Sequence, residues 1–214
     1  PSGACATPLI DADGFARCAA RAGLRAVLAS REGQGALVSK VLGSRFGLRW
    51  GAAAGGGSAL PPLVDIGRAH PFGQLAAADE RCAPPAACLV VVDLAAVVDI
   101  GAERSRAALR AKLGWYVSWL AERAGRFGAA SAFAFVLLPT AHEYSWPRHT
   151  QPRFAAYNAV ARRALAGSGW ALVDFERLSA ARPDLRSLYA LSFANWTGGV
   201  EYALANAVLN LACS

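Results

Sequence analysis

Methionine is absent from all 214 residues, and the chain opens on Pro1. Together these fit a processed chain or a piece of a longer one, so the lack of a visible secretory signal does not exclude a removed leader. Long apolar runs are missing too. The apolar fraction is 55% and the mean hydropathy +0.29, but alanine carries much of both. Charge, glycine or proline breaks every run well before the ~18 residues a membrane-spanning helix needs, which argues against a transmembrane segment. Lysine is scarce, and arginine supplies most of the net charge of +7. Such a balance favours polyanions in general, whether acidic glycan, nucleic acid or anionic lipid. Basic runs interleaved with aromatics are nevertheless lacking. Most arginines stand singly, several beside acids as in Glu103-Arg104 and Glu122-Arg123, which reads as a solvated surface and speaks against nucleic-acid binding.

The cysteines, at 5, 18, 82, 88 and 213, do not form two close pairs with histidines nearby, so a zinc site is not indicated. The glycine-rich run Ala52 to Ser58 lacks the lysine and the strand-to-helix placement of a phosphate cradle. No cofactor is implied. Cys82 and Cys88 bracket Ala83-Pro84-Pro85, a turn-prone stretch that can bring two Cα atoms to bonding distance. Either they form a disulfide, which suits a secreted or lumenal protein, or Cys88 is a buried thiol opening an apolar run. The pairing of Cys5, Cys18 and Cys213 stays open, and an odd cysteine remains unpaired or pairs outside the chain.

What is present is an alternation of strands and helices. Asp11-Ala12-Asp13 caps a helix through Phe15 to Ala20, followed by a strand at Leu24–Ala29. Gly33 to Phe46 reads as a helix with Leu37, Val38, Val41 and Leu42 on one face. Gly47 to Trp50 is expected as a second strand, and residues 59–87 as proline-rich and irregular, with one apolar stretch at Leu63 to Ile66. Cys88 to Asp93 is the clearest strand, continuous and apolar as a central parallel strand should be. A long helix is expected from about Ala102 to Arg126, with Leu109, Leu113, Tyr116 and Leu120 as its stripe. Ala132 to Leu138 reads as a buried strand, Pro152 to Ala166 as a helix, and Trp170 to Phe175 as a strand. Gly199 to Cys213 closes the chain as a helix, with Val200, Leu204, Val208 and Leu211 on one face. Such alternation, with no repeat and no internal boundary, predicts one domain over residues 1–214. Its expected architecture is a three-layer α/β/α fold of flavodoxin-like type with a mainly parallel sheet. The working site of such a sheet lies at the carboxyl ends of the strands. Those are the positions just after Leu28, Val92, Leu138 and Phe175, with the loop before the last helix.

At those positions the chain resembles the SGNH (GDSL) hydrolases, in their PC-esterase and trichome-birefringence-like branch. The closing segment carries the most specific likeness. Family members end with Asp-x-x-His, an aromatic residue, and a helix of pattern V-x-x-x-L-x-x-x-(L/V)-L-N-x-x-C. This chain has Ser192, Asn195, Trp196, then Val200, Leu204, Val208, Leu209, Asn210 and Cys213. Ser192 thus stands where the acid is expected and Asn195 where the base is. Near the other end, Leu24 to Leu28 runs into Ala29-Ser30-Arg31 in place of Gly-Asp-Ser, putting Arg31 at the nucleophile. Val92-Asp93-Leu94-Ala95 is similar to the strand bearing the oxyanion element Asn-x-Gly, with Asp93 for the asparagine. Leu138 to Glu143 is similar to a strand-end segment that often carries Pro and His, and Tyr157-Asn158 to a Tyr-Asn pair common in the following helix.

The family's chemistry has a serine attack an ester carbonyl while a histidine, oriented by an aspartate, takes its proton, and amide donors hold the oxyanion. Asn195 has no basic nitrogen. Arg31 is permanently cationic and no nucleophile. An ionised Asp93 would repel an oxyanion. The resemblance therefore implies a catalytically degenerate domain. A rescue would need Ser30 with His142, the best-placed histidine, but Ser30 is one residue out of register, a slip that turns a strand side chain to the other face. His70, His142 and His149 read equally as loop-packing residues. Tyr144 and Trp146, beyond a strand, could stack on a sugar ring or pack beneath their own loop. Asn195-Trp196-Thr197 is an N-glycosylation sequon. The expected function is a structural or glycan-binding module, secreted or at the cell surface, partnered by proteins of a larger assembly or by an acidic glycan. An active esterase or polysaccharide O-acetyltransferase using Ser30 and His142 is the alternative.

Overall fold

Alternation of side chains along two central strands decides the architecture. The computed structural model describes residues 9–29, 33–51, 60–65, 82–93, 107–108, 110–112, 114–115, 118, 122, 126–127, 130–138, 151–180 and 199–213. Among these, β1 (Leu24–Ala29), β2 (Leu63–Asp65), β3 (Ala87–Asp93), β4 (Ala132–Val136) and β5 (Ala171–Val173) form one sheet in the order β2-β1-β3-β4-β5. Every pairing is parallel. The helices are α1 (Ala12–Arg21), α2 (Gly33–Phe46), α3 (Gln151–Leu165), α4 (Phe175–Ala180) and α5 (Gly199–Cys213).

Because successive strand residues point to opposite faces, Ala26, Leu28, Val90, Val92 and Phe135 meet α3 through Phe154, Tyr157, Val160 and Ala161. Val27, Ala29, Leu89, Val91 and Val136 face the other way, onto α1, α2, α4 and α5. Both β1 and β3 are thus covered on two sides, which explains their continuous apolar character. In α5, Leu204, Ala205, Val208 and Leu209 are fully buried on this second face. Trp170 belongs to the first core, packed against Phe133 and Phe135.

Local chemistry sets the boundaries. Asp11 caps α1 by accepting from Gly14 N–H at 2.6 Å, which satisfies one of the orphan donors of the first turn. Gly23, with φ +64°, makes the left-handed turn from α1 into β1 that a side chain would disfavour. On the opposite flank, Arg162 of α3 bridges Asp174 at 3.1 Å and Glu176 at 3.0 Å. Burial pulls the Arg162 pKa down, but its bonds and charge contacts with Glu176 and Asp174 outweigh that and hold it above its ordinary value.

Three expectations need correction. Gly47 to Trp50 is not a strand: only Trp50 bridges to Leu63. The edge strand is instead β2, three residues within the stretch read as irregular. Its shortness explains why periodicity does not reveal it. Strand five ends at Val173, and Phe175 opens the short helix α4, with Ser179 Oγ donating to the carbonyl of Phe175 at 2.7 Å. Strand four ends at Val136, although Leu137 and Leu138 remain fully buried beyond it. Between 107 and 122 the described positions are helical, while the stripe Leu109, Leu113, Tyr116 and Leu120 lies outside the described residues.

Candidate functional site

In an open parallel sheet, ligands bind beyond the carboxyl ends of the strands where the winding reverses. Here β1 lies between β2 and β3, so the chain leaves β1 to one side for β2 and returns on the other for β3. The reversal therefore falls between the carboxyl ends of β1 and β3. Leu28 pairs with Val90; β1 ends one residue later, at Ala29, and β3 three residues later, at Asp93. The central strand thus outlasts its neighbour by two residues, roughly 7 Å of extended chain. Asp93 stands at that projecting end, its Cα partner being Val136 of β4. On the far side of β1, Asp65 ends β2 in register with Ala29.

The β4 end of this edge is held by a side chain. Asn158, in the middle of α3 and fully buried, accepts the Leu138 N–H on Oδ1 at 2.8 Å and donates from Nδ2 to the Leu138 carbonyl at 2.9 Å. The amide imitates a neighbouring strand. It satisfies a donor and an acceptor that would otherwise be buried unpaired where the ladder stops. Leu137 N–H still reaches the Val173 carbonyl at 3.1 Å, so the two mechanisms follow one another along the backbone. In the sequence only resemblance singles out Tyr157-Asn158, and the bidentate bond supplies the physical task of Asn158.

Of the sequence-derived site residues, Asp93 ends β3 at the carboxyl edge of the sheet. Ser30, Arg31, His142, Tyr144, Trp146, Ser192 and Asn195 lie outside the described residues, as do His70 and His149. Cys82 and Cys88 are joined, with Cα atoms 5.7 Å apart. A second bridge, Cys18–Cys213, fastens α1 to the end of α5 across 195 residues. No spacing rule could have picked that pair out of the sequence. Among the described residues there is no group of three metal-ligating side chains, and no helix long and apolar enough to cross a membrane.

No family model matches the chain, and no curated protein matches it in sequence. Among solved structures, a lipase/acylhydrolase from Enterococcus faecalis is similar, with a TM-score of 0.52 over 87% of this chain and 93% of that one. Identity between the two is 15%, so the likeness is one of fold. With its five-stranded parallel sheet and helices on both faces, the chain has a three-layer α/β fold like that of this lipase/acylhydrolase.

Proposed function

We propose that this is an SGNH-type domain of the PC-esterase and trichome-birefringence-like branch that has lost its catalytic groups. On this reading it serves as a structural or glycan-binding module in an extracellular or cell-surface assembly. The observation that carries the proposal is Asp93, an acid at the projecting end of the central strand, beside the topological reversal. The resemblance places an oxyanion-stabilising amide there. A carboxylate ionised near neutral pH would raise, not lower, the energy of a tetrahedral anion. Arg31, Ser192 and Asn195 replace nucleophile, acid and base in the same sense. The bridges Cys18–Cys213 and Cys82–Cys88 support maturation in an oxidising compartment, which is also where Asn195 would acquire a glycan.

One observation favours the competing reading: the fold neighbour is named as a lipase/acylhydrolase. An ester hydrolase built on Ser30 and His142 would share that chemistry. Incubation with p-nitrophenyl acetate and a fluorophosphonate probe separates the two. We expect no turnover above the protein-free rate and no labelled serine. Labelling of one serine, or turnover abolished by Ser30→Ala, would replace the degenerate reading with the enzymatic one.

A further inference from the structure

The helical layer holds a groove of its own, built from α1, α2 and α5 and distinct from the strand ends. Its volume is about 670 Å3, and its polar lining comprises Asp11, Lys40, Ser44, Arg45, Glu201 and Tyr202. That size falls within the roughly 300–1,000 Å3 of small-molecule pockets. Lys40 and Ser44, four residues apart, stack on one side of α2, and Arg45, one residue further on, also lines the groove. Tyr202 contributes its ring, stacked on Phe46 with centroids 6.2 Å apart, and its hydroxyl donates to the Ile10 carbonyl at 3.0 Å.

The committed interactions define what the groove still lacks. Glu201 is a buried carboxylate, its side chain 7% exposed, and Lys40 touches both of its oxygens at 3.2 Å. Two carboxylate oxygens offer about four acceptor positions, so acceptor capacity remains after Lys40 has neutralised the charge. Asp11 is already engaged in capping α1. Arg45 has no hydrogen-bond or ion-pair partner among the described residues. Among the described residues, what is left is one guanidinium without a partner and one neutralised, buried acceptor. The guanidinium fork suits a carboxylate. The acceptor suits hydroxyl donors, since a second cation beside Lys40 would be repelled.

We infer that this groove binds an acidic sugar, its carboxylate on Arg45 and its hydroxyls on Glu201. The site uses no strand-end residue, so its existence does not depend on whether the edge is catalytic. The test is ligand-observed NMR titration of the intact protein with glucuronate, glucose and alanine. Glucuronate should bind saturably and at least tenfold more tightly than glucose, and alanine should compete with neither. Arg45→Ala, at an exposed position, should weaken glucuronate at least tenfold and leave glucose unchanged. Glu201→Gln should weaken both sugars. Absence of saturable glucuronate binding, equal affinity for glucose, indifference to Arg45→Ala, or equal binding of alanine would each overturn the assignment. Ester turnover is scored separately, so its outcome leaves this one intact.

Discussion

Removing the Cys18–Cys213 bridge should destabilise the domain far more than removing Cys82–Cys88. In the chain-entropy view, a cross-link acts mainly on the unfolded ensemble, by an amount growing with the logarithm of the loop it closes. The first bridge spans 195 residues and the second 6. The same relation gives about 5 kcal/mol for the long loop and about 2 kcal/mol for the short one. Pro84 and Pro85 lie inside the short loop and already narrow its unfolded conformations, so the smaller figure is an upper value. The native contacts of α1 survive either change. Phe15 meets Phe46 edge-on with centroids 6.0 Å apart, and Ile10 N–H donates to Asn206 Oδ1 at 2.8 Å. The fold should therefore persist while its unfolding free energy falls. Alanine is the better replacement, because Cys82 and Cys88 are fully buried and Cys18 nearly so. Urea unfolding followed by tryptophan fluorescence would compare Cys18→Ala/Cys213→Ala with Cys82→Ala/Cys88→Ala. With an m-value of about 2 kcal/mol per molar, the difference of about 3 kcal/mol separates their midpoints by about 1.5 M. Coincident midpoints, or a larger loss from the short bridge, would refute the loop-entropy reasoning.

Asn158→Leu keeps the branched shape and the number of side-chain heavy atoms but leaves the N–H and carbonyl of Leu138 buried without this partner, and should lower stability by about 2–4 kcal/mol in the same urea assay; no change would mean that other groups satisfy Leu138. The triple variant Arg31→Ser/Ser192→Asp/Asn195→His should gain no strong p-nitrophenyl acetate hydrolysis, since Asp93 would still oppose an oxyanion. Substantial turnover by that variant would show the pocket to be intact.

Legibility in the sequence followed the range of the forces involved. The limits of α2 and α5, Gly33–Phe46 and Gly199–Cys213, are read from local apolar periodicity. So is Asp11 as the cap of α1, a contact between neighbours in the chain. The edge strand β2 was not legible, because three residues paired through their backbones to β1 leave no periodic trace. Phe175, the last residue of the segment read as strand five, is fully buried at the start of α4. Burial alone does not distinguish a strand residue from the first residue of a helix packed on the same core. The groove on the helical layer escaped for a further reason. Lys40 and Glu201 are 161 positions apart, and a surface cation beside a buried acid has no signature until the helices that carry them are packed.

These ranges also explain how a domain of this type can keep its fold while its edge changes chemically. The sheet is held by the two cores flanking β1 and β3, by Asn158 at the exit of β4 and by the bridge between α1 and α5. Surface substitutions away from buried features usually shift stability by no more than about 0.5 kcal/mol. On the degenerate reading, a catalytic edge drifts once ester turnover is no longer selected. Loss of Asn158 or of the apolar faces of α2 and α5 would be penalised in any fold of this kind. On the degenerate reading, the pattern of this chain follows directly: a closing helix and a strand-end clamp that match the resemblance, beside catalytic positions that do not.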